Sequence, residues 1–356
     1  MSPTKEIYDV VVIGAGLTGA LIARRLAQEA LHVAVLEASA SPGGIAARGV
    51  GLALLGTPTP YVTLQKEVGA EQAREIWHLT EGNLQLLDET LQQLEQEGQR
   101  VGSFRPISSS AEVSNLQQSA AQLEAEGYEV DIDDATELGY LVALVTQDDI
   151  AFDPQRMIEA LLVHPNITVE TGTEVQGIHL PESGAEPLTI WARKRYLWSK
   201  GVVLAGGAHA VRLSKFLGSI VHPLRITSID LRNSETLLTP LVLEHGSSVI
   251  RASEGRWRLV GWDPIDQSPL RHLTEIAHQL CPNAPVSGRR SAWVAHSEDG
   301  LPIVGELLDL PGVYAASGLG PWGLSWAFIA AQRLVELMIH DADPGLLAFD
   351  RLSEQR

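Results

Sequence analysis

Residues 10–37 read VVVIGAGLTGALIARRLAQEALHVAVLE, and their pattern decides the fold. The apolar run Val10-Val11-Val12-Ile13 breaks at Gly14-Ala15-Gly16-Leu17-Thr18-Gly19, and Ala20 to Ala27 continues with helical character. A second apolar run, His32 to Leu36, ends at Glu37. Strand, glycine turn, helix, strand and acid are the parts of a βαβ dinucleotide site. Gly14 permits the tight turn, Gly16 lets the backbone approach a pyrophosphate, and Gly19 lets helix and strand pack closely. Ala15, Leu17 and Thr18 complete a loop whose N–H groups, at a helix N-terminus, face the phosphates. Glu37 lies 18 residues past Gly19 (37 − 19), near the roughly 20 that brings a carboxylate to a ribose hydroxyl. With Ala38 and Ser39 beside it, this carboxylate would repel a 2′-phosphate. These residues alone leave FAD and NAD both open.

Composition narrows the class. At 356 residues, two domains are the natural expectation, in series or interleaved. A 45% hydrophobic content suffices for real cores. The net charge of −18 argues against nucleic acid or an anionic membrane surface as partner. The single cysteine, Cys281, excludes an internal disulfide framework and any cysteine-based metal cluster. Scattered histidines give no metal-binding pattern. Met1 to Glu6 is too short and polar for a secretory signal. Gln332, Arg333 and Glu336 interrupt the apolar stretch Trp322 to Ile339, making it a buried helix. A soluble, cytoplasmic protein is expected.

Residues 43–61 are rich in Gly, Ala and Pro and read as an extended loop over something bound, with 51–61 as a candidate lid. Residues 65–98 carry a helical stripe of Trp77, Leu84, Leu87, Leu91 and Leu94. A strand-like stretch at 101–108 and a helix near 115–126 follow. Asp153 is a candidate N-cap with Pro154 at the first helical position. Ile167 to Glu170, Thr173 to Leu180 and Gly201 to Ala208 read as strands. Between 220 and 262 the chain alternates in short segments: Ile220-Val221, Ile226 to Leu231, Leu241 to Glu244, Ser248 to Arg251 and Arg256 to Val260. That pattern indicates an antiparallel sheet. A helix at Leu270 to Leu280, strands at Arg290 to Ser297 and Val313 to Ala316, and the long helix complete the reading. The expected fold is α/β: a doubly wound dinucleotide-binding (Rossmann-like) domain from residues 1–85, 146–212 and 296–356. An antiparallel-sheet substrate domain, 86–145 and 213–295, is interleaved with it.

Three further stretches are more specific. Gly43-Gly44 closely follows the second strand, and Ala205-Gly206-Gly207 ends a late one. Asp299-Gly300-Leu301-Pro302-Ile303-Val304-Gly305 precedes Gly312-Val313-Tyr314-Ala315-Ala316-Ser317-Gly318-Leu319-Gly320-Pro321-Trp322-Gly323-Leu324. Together they resemble the FAD-dependent D-amino-acid oxidase family, the group that includes glycine oxidase and sarcosine oxidase. The resemblance runs from about Tyr8 to Ile339. It implies that Gly43, Gly44, Ile45 and Ala46, with Ala205, Gly206 and Gly207, contact FAD. It implies a flavin resting on Gly318, Leu319, Gly320, Pro321, Trp322, Gly323 and Leu324, with the following helix N-terminus facing its pyrimidine edge. Val175 falls where the family places a backbone contact to adenine, and reads equally as a core valine. Because no cysteine lies close upstream of Asp299 and no histidine follows Gly43-Gly44, the FAD is expected to be non-covalent.

The resemblance implies oxidation of a C–N bond in a small amine or amino acid, with a hydride passing to the flavin and oxygen reoxidising it. Its carboxylate-clamping arginine would stand five residues before Asp299, where the chain has Val294. A family tyrosine would fall near Val249. On the strand 290–297, Arg290, Ala292, Val294 and His296 share one face. Arg290 and His296 are therefore the candidate substrate-side residues. His296 reads as a general base or hydrogen-bond donor, or as a structural polar residue; Arg290 reads as a substrate contact or a surface ion pair. Arg225, Arg251 and Trp322 are weaker candidates, and Trp262 is either an aromatic wall or core. Two other functions stay open: a dehydrogenase using a quinone or carrier acceptor or a 2-hydroxy-acid donor, and a non-catalytic flavin-binding subunit.

Overall fold

The computed structural model describes residues 6–181, 186–193, 195–232, 239–243, 248–253, 255–262 and 269–352. At its centre Ile7–Ile13 runs parallel to Val33–Leu36 on one side and Arg195–Leu204 on the other. Ile167–Glu170 extends the sheet beyond Val33–Leu36, also parallel, and Val313–Ser317 pairs in parallel with the end of Arg195–Leu204. An antiparallel edge, Val175–His179 with Leu188–Ala192, folds back onto Arg195–Leu204. The near-continuous apolar run 10–13 follows from burial on both faces. Val10 and Val12 point into one apolar cluster, Val11 and Ile13 into another. The first cluster contains the inner faces of the helices Leu17–Gln28, Ala70–Gln93 and Ala327–His340.

The second sheet is largely antiparallel, with spatial order Val286–Ser297, Val221–Arg232, Arg256–Trp262, Ser248–Ser253, Leu241–Leu243, Ser103–Ile107, Val142–Thr146 and Val130–Asp134. The helix Pro269–Leu280 buries Leu273, Ile276 and Ala277 against Ile229, Leu231 and Leu259 of this sheet. Cys281 is buried in the same cluster. Leu52–Ala53, Ile150–Phe152 and Gly98–Arg100 form a small third sheet.

The stripe expected over 65–98 exists, but on a broken helix. Tyr61–Val68 and Ala70–Gln93 meet at Gly69, whose φ of +91° ends one helix and starts the next. Trp77 is fully buried there, edge-on to Tyr61 and Tyr128. Asp153 caps Pro154–Leu161 by accepting from the N–H groups of Gln155 (2.9 Å) and Arg156 (3.2 Å). The segments at 220–221 and 226–231 are one strand, Val221–Arg232. The expected strand 241–244 covers Leu241–Leu243, and Glu244 lies outside the described residues. The lid expected at 51–61 is corrected. Residues 51–56 are buried, Leu52 and Leu54 pack into an apolar cluster, and Tyr61 already begins a helix. No helix among the described residues is long and apolar enough to cross a membrane.

Candidate functional site

One cavity of about 460 Å³ runs between the two large sheets. At one end it is bordered by Gly14, Gly16, Leu17, Thr18, Glu37 and Ser39, then by Gly44, Ile45 and Ala46. Ala205, Gly206 and Gly207, beside the Gly14 turn, also border it, as do Leu319 to Leu324. The opposite side comes from the second sheet: Ile226, Val249, Val260, Trp262 and residues 291–295.

The glycines at the first end do different work. A Cβ on Gly19 would stand 2.0 Å from the Gly14 carbonyl oxygen, so helix and turn pack at a distance that only glycine allows. Gly14 itself has φ +112°, with the Ala205 carbonyl oxygen 2.6 Å from any Cβ placed there. A Cβ on Gly16 would meet nothing within 4 Å and would project into open space beside the cavity. Gly16 caps the helix Leu17–Gln28 with no side-chain bond, leaving first-turn N–H groups free for an anion. The Glu37 carboxylate accepts from Ala15 N–H at 2.9 Å through one oxygen and from Ser39 N–H at 2.8 Å through the other. This fixes its direction at the cavity edge.

The turn from Leu319 to Leu324 is tied down from behind. The Asn83 side chain, fully buried, donates to the Leu324 carbonyl (3.0 Å) and accepts from the N–H groups of Phe328 (2.9 Å) and Ile329 (3.2 Å). The long helix therefore starts at Ala327, later than the sequence suggests, and Asn83 caps its first turn. A 3₁₀ turn, Gly323–Ser325, stands between the glycines and that helix. Ser325 Oγ accepts from Leu54 N–H at 2.8 Å, which locks the cavity floor to the glycine turn. Gly318 and Gly320 have φ of +71° and +64°. Ser317 Oγ is buried on the cavity wall without a hydrogen-bond partner. A buried hydroxyl left unpaired is costly, and a bound ligand is the natural partner.

Several expected residues stand elsewhere. Ala15, Gly19, Gly43 and Gly318 support the cavity from behind its lining, with Gly43 N–H donating to the Ala15 carbonyl at 3.0 Å. Ala38 does not line the cavity, and Val175 packs against the second apolar cluster. Ala292 and Val294 do line it, whereas His296 and Arg290, placed on the same strand face, do not. Arg290 is half exposed and pairs with Asp230 at 3.1 Å, beside a small side cleft. Burial alone would raise the Asp230 carboxyl, but the bonded Arg258 guanidinium, with Arg290 and Arg256 nearby, holds it below its ordinary value. His296 lies behind the glycine turn, its Nδ1 buried, unpartnered and 3.2 Å from where a Gly320 Cβ would be. Burial lowers its pKa against the opposing pull of Asp299, and His222 lowers it further, so the ring is neutral at pH 7.

Two other arginines near the cavity, Arg251 and Arg105, are engaged with backbone carbonyls. Arg251 Nη1 donates to the carbonyls of Val50 (2.6 Å) and Gly51 (2.9 Å). Arg105, buried, faces Asp149 at 3.6 Å and donates to the carbonyls of Leu55 and Thr57. Arg225 reaches only Ser291 Oγ, at 3.4 Å on the surface. Trp262 and Trp322 form an edge-to-face pair, centroids 5.5 Å apart at 88°, and both border the cavity. Sequence reasoning missed Arg48, His209 and Ser317 as lining residues. Arg48 stands only four residues past Gly44 and His209 two past Gly207, so proximity to the glycine signals would have found both.

The family model for FAD-dependent oxidoreductases of the D-amino-acid oxidase type matches residues 9–337. The fold is similar to glycine oxidase from Bacillus cereus, at 18% identity and a TM-score of 0.79, covering 96% of this chain and 97% of that one. Glycine oxidase from Geobacillus kaustophilus is also similar: 20% identity, TM-score 0.76, 95% and 96% coverage. So is L-proline dehydrogenase from P. horikoshii, at 17% identity, TM-score 0.78 and 99% coverage of both chains.

Proposed function

The chain belongs to the FAD-dependent oxidoreductase family of the D-amino-acid oxidase type, and on that premise we propose that it oxidises a C–N bond of a small amine or amino acid. Oxygen is the proposed acceptor of the electrons, and the FAD is held without a covalent bond. The single observation that supports this best is the continuity of the cavity, from the Gly14–Gly19 turn to the Trp262–Trp322 pair. The residues present fit FAD: open space at Gly16, a fixed acceptor at Glu37 and an unpaired hydroxyl at Ser317.

In that role the backbone of Gly14, Gly16, Leu17 and Thr18 holds the pyrophosphate, and Glu37 accepts from the ribose. The turn from Leu319 to Leu324 carries the isoalloxazine. When bound, the flavin supplies the two-electron acceptor for a hydride leaving the substrate carbon. Leu52, Leu54, Val249 and Val294 line the cavity together with that turn and exclude water there. The substrate enters as the neutral amine, because a desolvated ammonium is disfavoured among apolar walls. The oxidised product is an imine, which water hydrolyses to a carbonyl compound and ammonia or an amine. Non-covalent attachment rests on the single cysteine, which is buried in another cluster, away from the cavity. The segments 1–85, 146–212 and 296–356 form the FAD-binding part under this proposal, with the second sheet as the substrate cover.

Aerobic turnover of the holoenzyme with pooled amines and amino acids tests the proposal. Hydrogen peroxide and ammonia (or the amine) in a 1:1 ratio are expected. Turnover that needs an added quinone and yields no peroxide would replace oxygen with another acceptor. Turnover only with 2-hydroxy acids would overturn the C–N assignment.

A further inference from the structure

Trp322 of the glycine turn meets Leu52, Leu54, Val249 and Trp262 in one apolar wall of the cavity, which Val294 also lines. Leu52, Leu54 and Val249 are buried in one apolar cluster, and the two indoles pack against it while remaining half-buried. Because both rings line the cavity, the apolar area they leave uncovered faces into it. Uncovered apolar surface inside a protein is matched by an apolar ligand, not by water.

Few cations stand near these apolar walls. Arg251 and Arg105 are spent on the backbone of residues 50–57, and Arg258 and Arg290 on Asp230. Arg48 borders the cavity, but exposed, at the outer side cleft it shares with Ser228 and Arg290. Among the described residues, Arg48 is the only lysine or arginine bordering the cavity, and its side chain is exposed. A carboxylate brought against these apolar walls would lose its hydration and gain no cationic partner from them.

Resting on the amine-oxidation proposal, we infer that this chamber takes a primary or secondary amine with an aromatic or branched aliphatic group, and no carboxylate on the carbon that loses the hydride. The indole pair stacks against that group, and the aliphatic residues exclude water around the reacting carbon. For a benzylic amine the balance is direct. The C–H bond breaks with its electron pair passing to FAD, and the N–H proton leaves to water. A C=N double bond forms, and oxygen, taking two electrons and two protons, becomes hydrogen peroxide. Water then converts the imine to an aldehyde and ammonia.

The test compares matched pairs on the holoenzyme: benzylamine against phenylglycine, and N-methylbenzylamine against N-methylphenylglycine, with both enantiomers of each acid. Two readouts are used, the rate of anaerobic flavin reduction and the binding constant from perturbation of the flavin band. The carboxylate-free member is expected to win each comparison by on the order of 100-fold or more. Val294→Arg, made where the bidentate clamp is missing, is expected to narrow that ratio by at least about tenfold. The wild-type comparison decides if this variant does not fold. Faster reduction by phenylglycine, lost in Arg48→Ala, would overturn the inference while leaving amine oxidation in place. Reduction by neither pair, when dithionite still bleaches the flavin and 2-hydroxy acids reduce it, would remove the amine proposal and this inference together.

Discussion

Gly16→Val separates ligand loss from fold loss. Gly16 has φ −77° and ψ −179°, a conformation that any residue adopts, and its Cβ position is clear to 4 Å. The structural cost is confined to a poorer N-cap, about 0.5–1 kcal/mol, or roughly 1–3 °C in Tm for a chain of this size. The isopropyl group, however, projects beside the cavity where the first-turn N–H groups face outward. Overpacking of this kind costs about 1–3 kcal/mol, and misaligned N–H donors add to it, so FAD affinity should fall at least about 100-fold. Gly19→Ala makes the opposite trade. Its methyl would sit 2.0 Å from the Gly14 carbonyl, so helix and turn must separate and the apoprotein itself loses stability. The assay is the ratio of flavin to protein absorbance after purification and after reconstitution, alongside melting curves with and without FAD. A Gly16→Val protein that purifies with full flavin would refute the placement of the pyrophosphate.

Glu37→Gln keeps one acceptor but loses the charge that accepts from Ala15 and Ser39; FAD should bind about tenfold more weakly, read by titration of the apoprotein. Arg105→Met leaves Asp149 buried without its counter-charge and releases the backbone at Leu55 and Thr57, so about 3–5 kcal/mol of stability should be lost, measured by denaturant unfolding. His296 predicts a pH effect. Its folded pKa is depressed, so below about pH 6.5 the unfolded chain takes up a proton that the buried ring resists. Stability should therefore fall as the pH drops from about 6.5 to the lower folded value, and His296→Asn should flatten that slope in melting curves. An unchanged slope would show that the ring is not the group resisting protonation.

The nucleotide turn and the Asp153 cap were legible because each is a local device, decided by residues within one turn of chain. The strand Val221–Arg232 was hidden by Pro223 and Arg225. Only residues 226–232 pair with Arg256–Trp262, so Pro223 stands where that side of the ladder asks for no N–H. Val130–Asp134 was missed because its acids resemble a loop; it closes the sheet edge with Asp131, Asp133 and Asp134 outward. The supposed lid shows the limit of composition. Its glycines suggested a cover, but Leu52 and Leu54 belong to a floor fixed by Ser325, 271 residues away in sequence from Leu54. The substrate side was least legible. Arg290 and His296 share a face by alternation, yet Asp230 holds one and the glycine turn screens the other. Neither contact is visible from spacing along one strand.

The most direct test is an anaerobic visible spectrum of the purified holoprotein, titrated with amine and amino-acid pools. Amine oxidation on a non-covalent FAD predicts flavin bands that bleach fully with an amine pool, and a yellow supernatant once the protein is denatured and precipitated. Bands that persist with every amine donor, or flavin that stays with the precipitate, would contradict it.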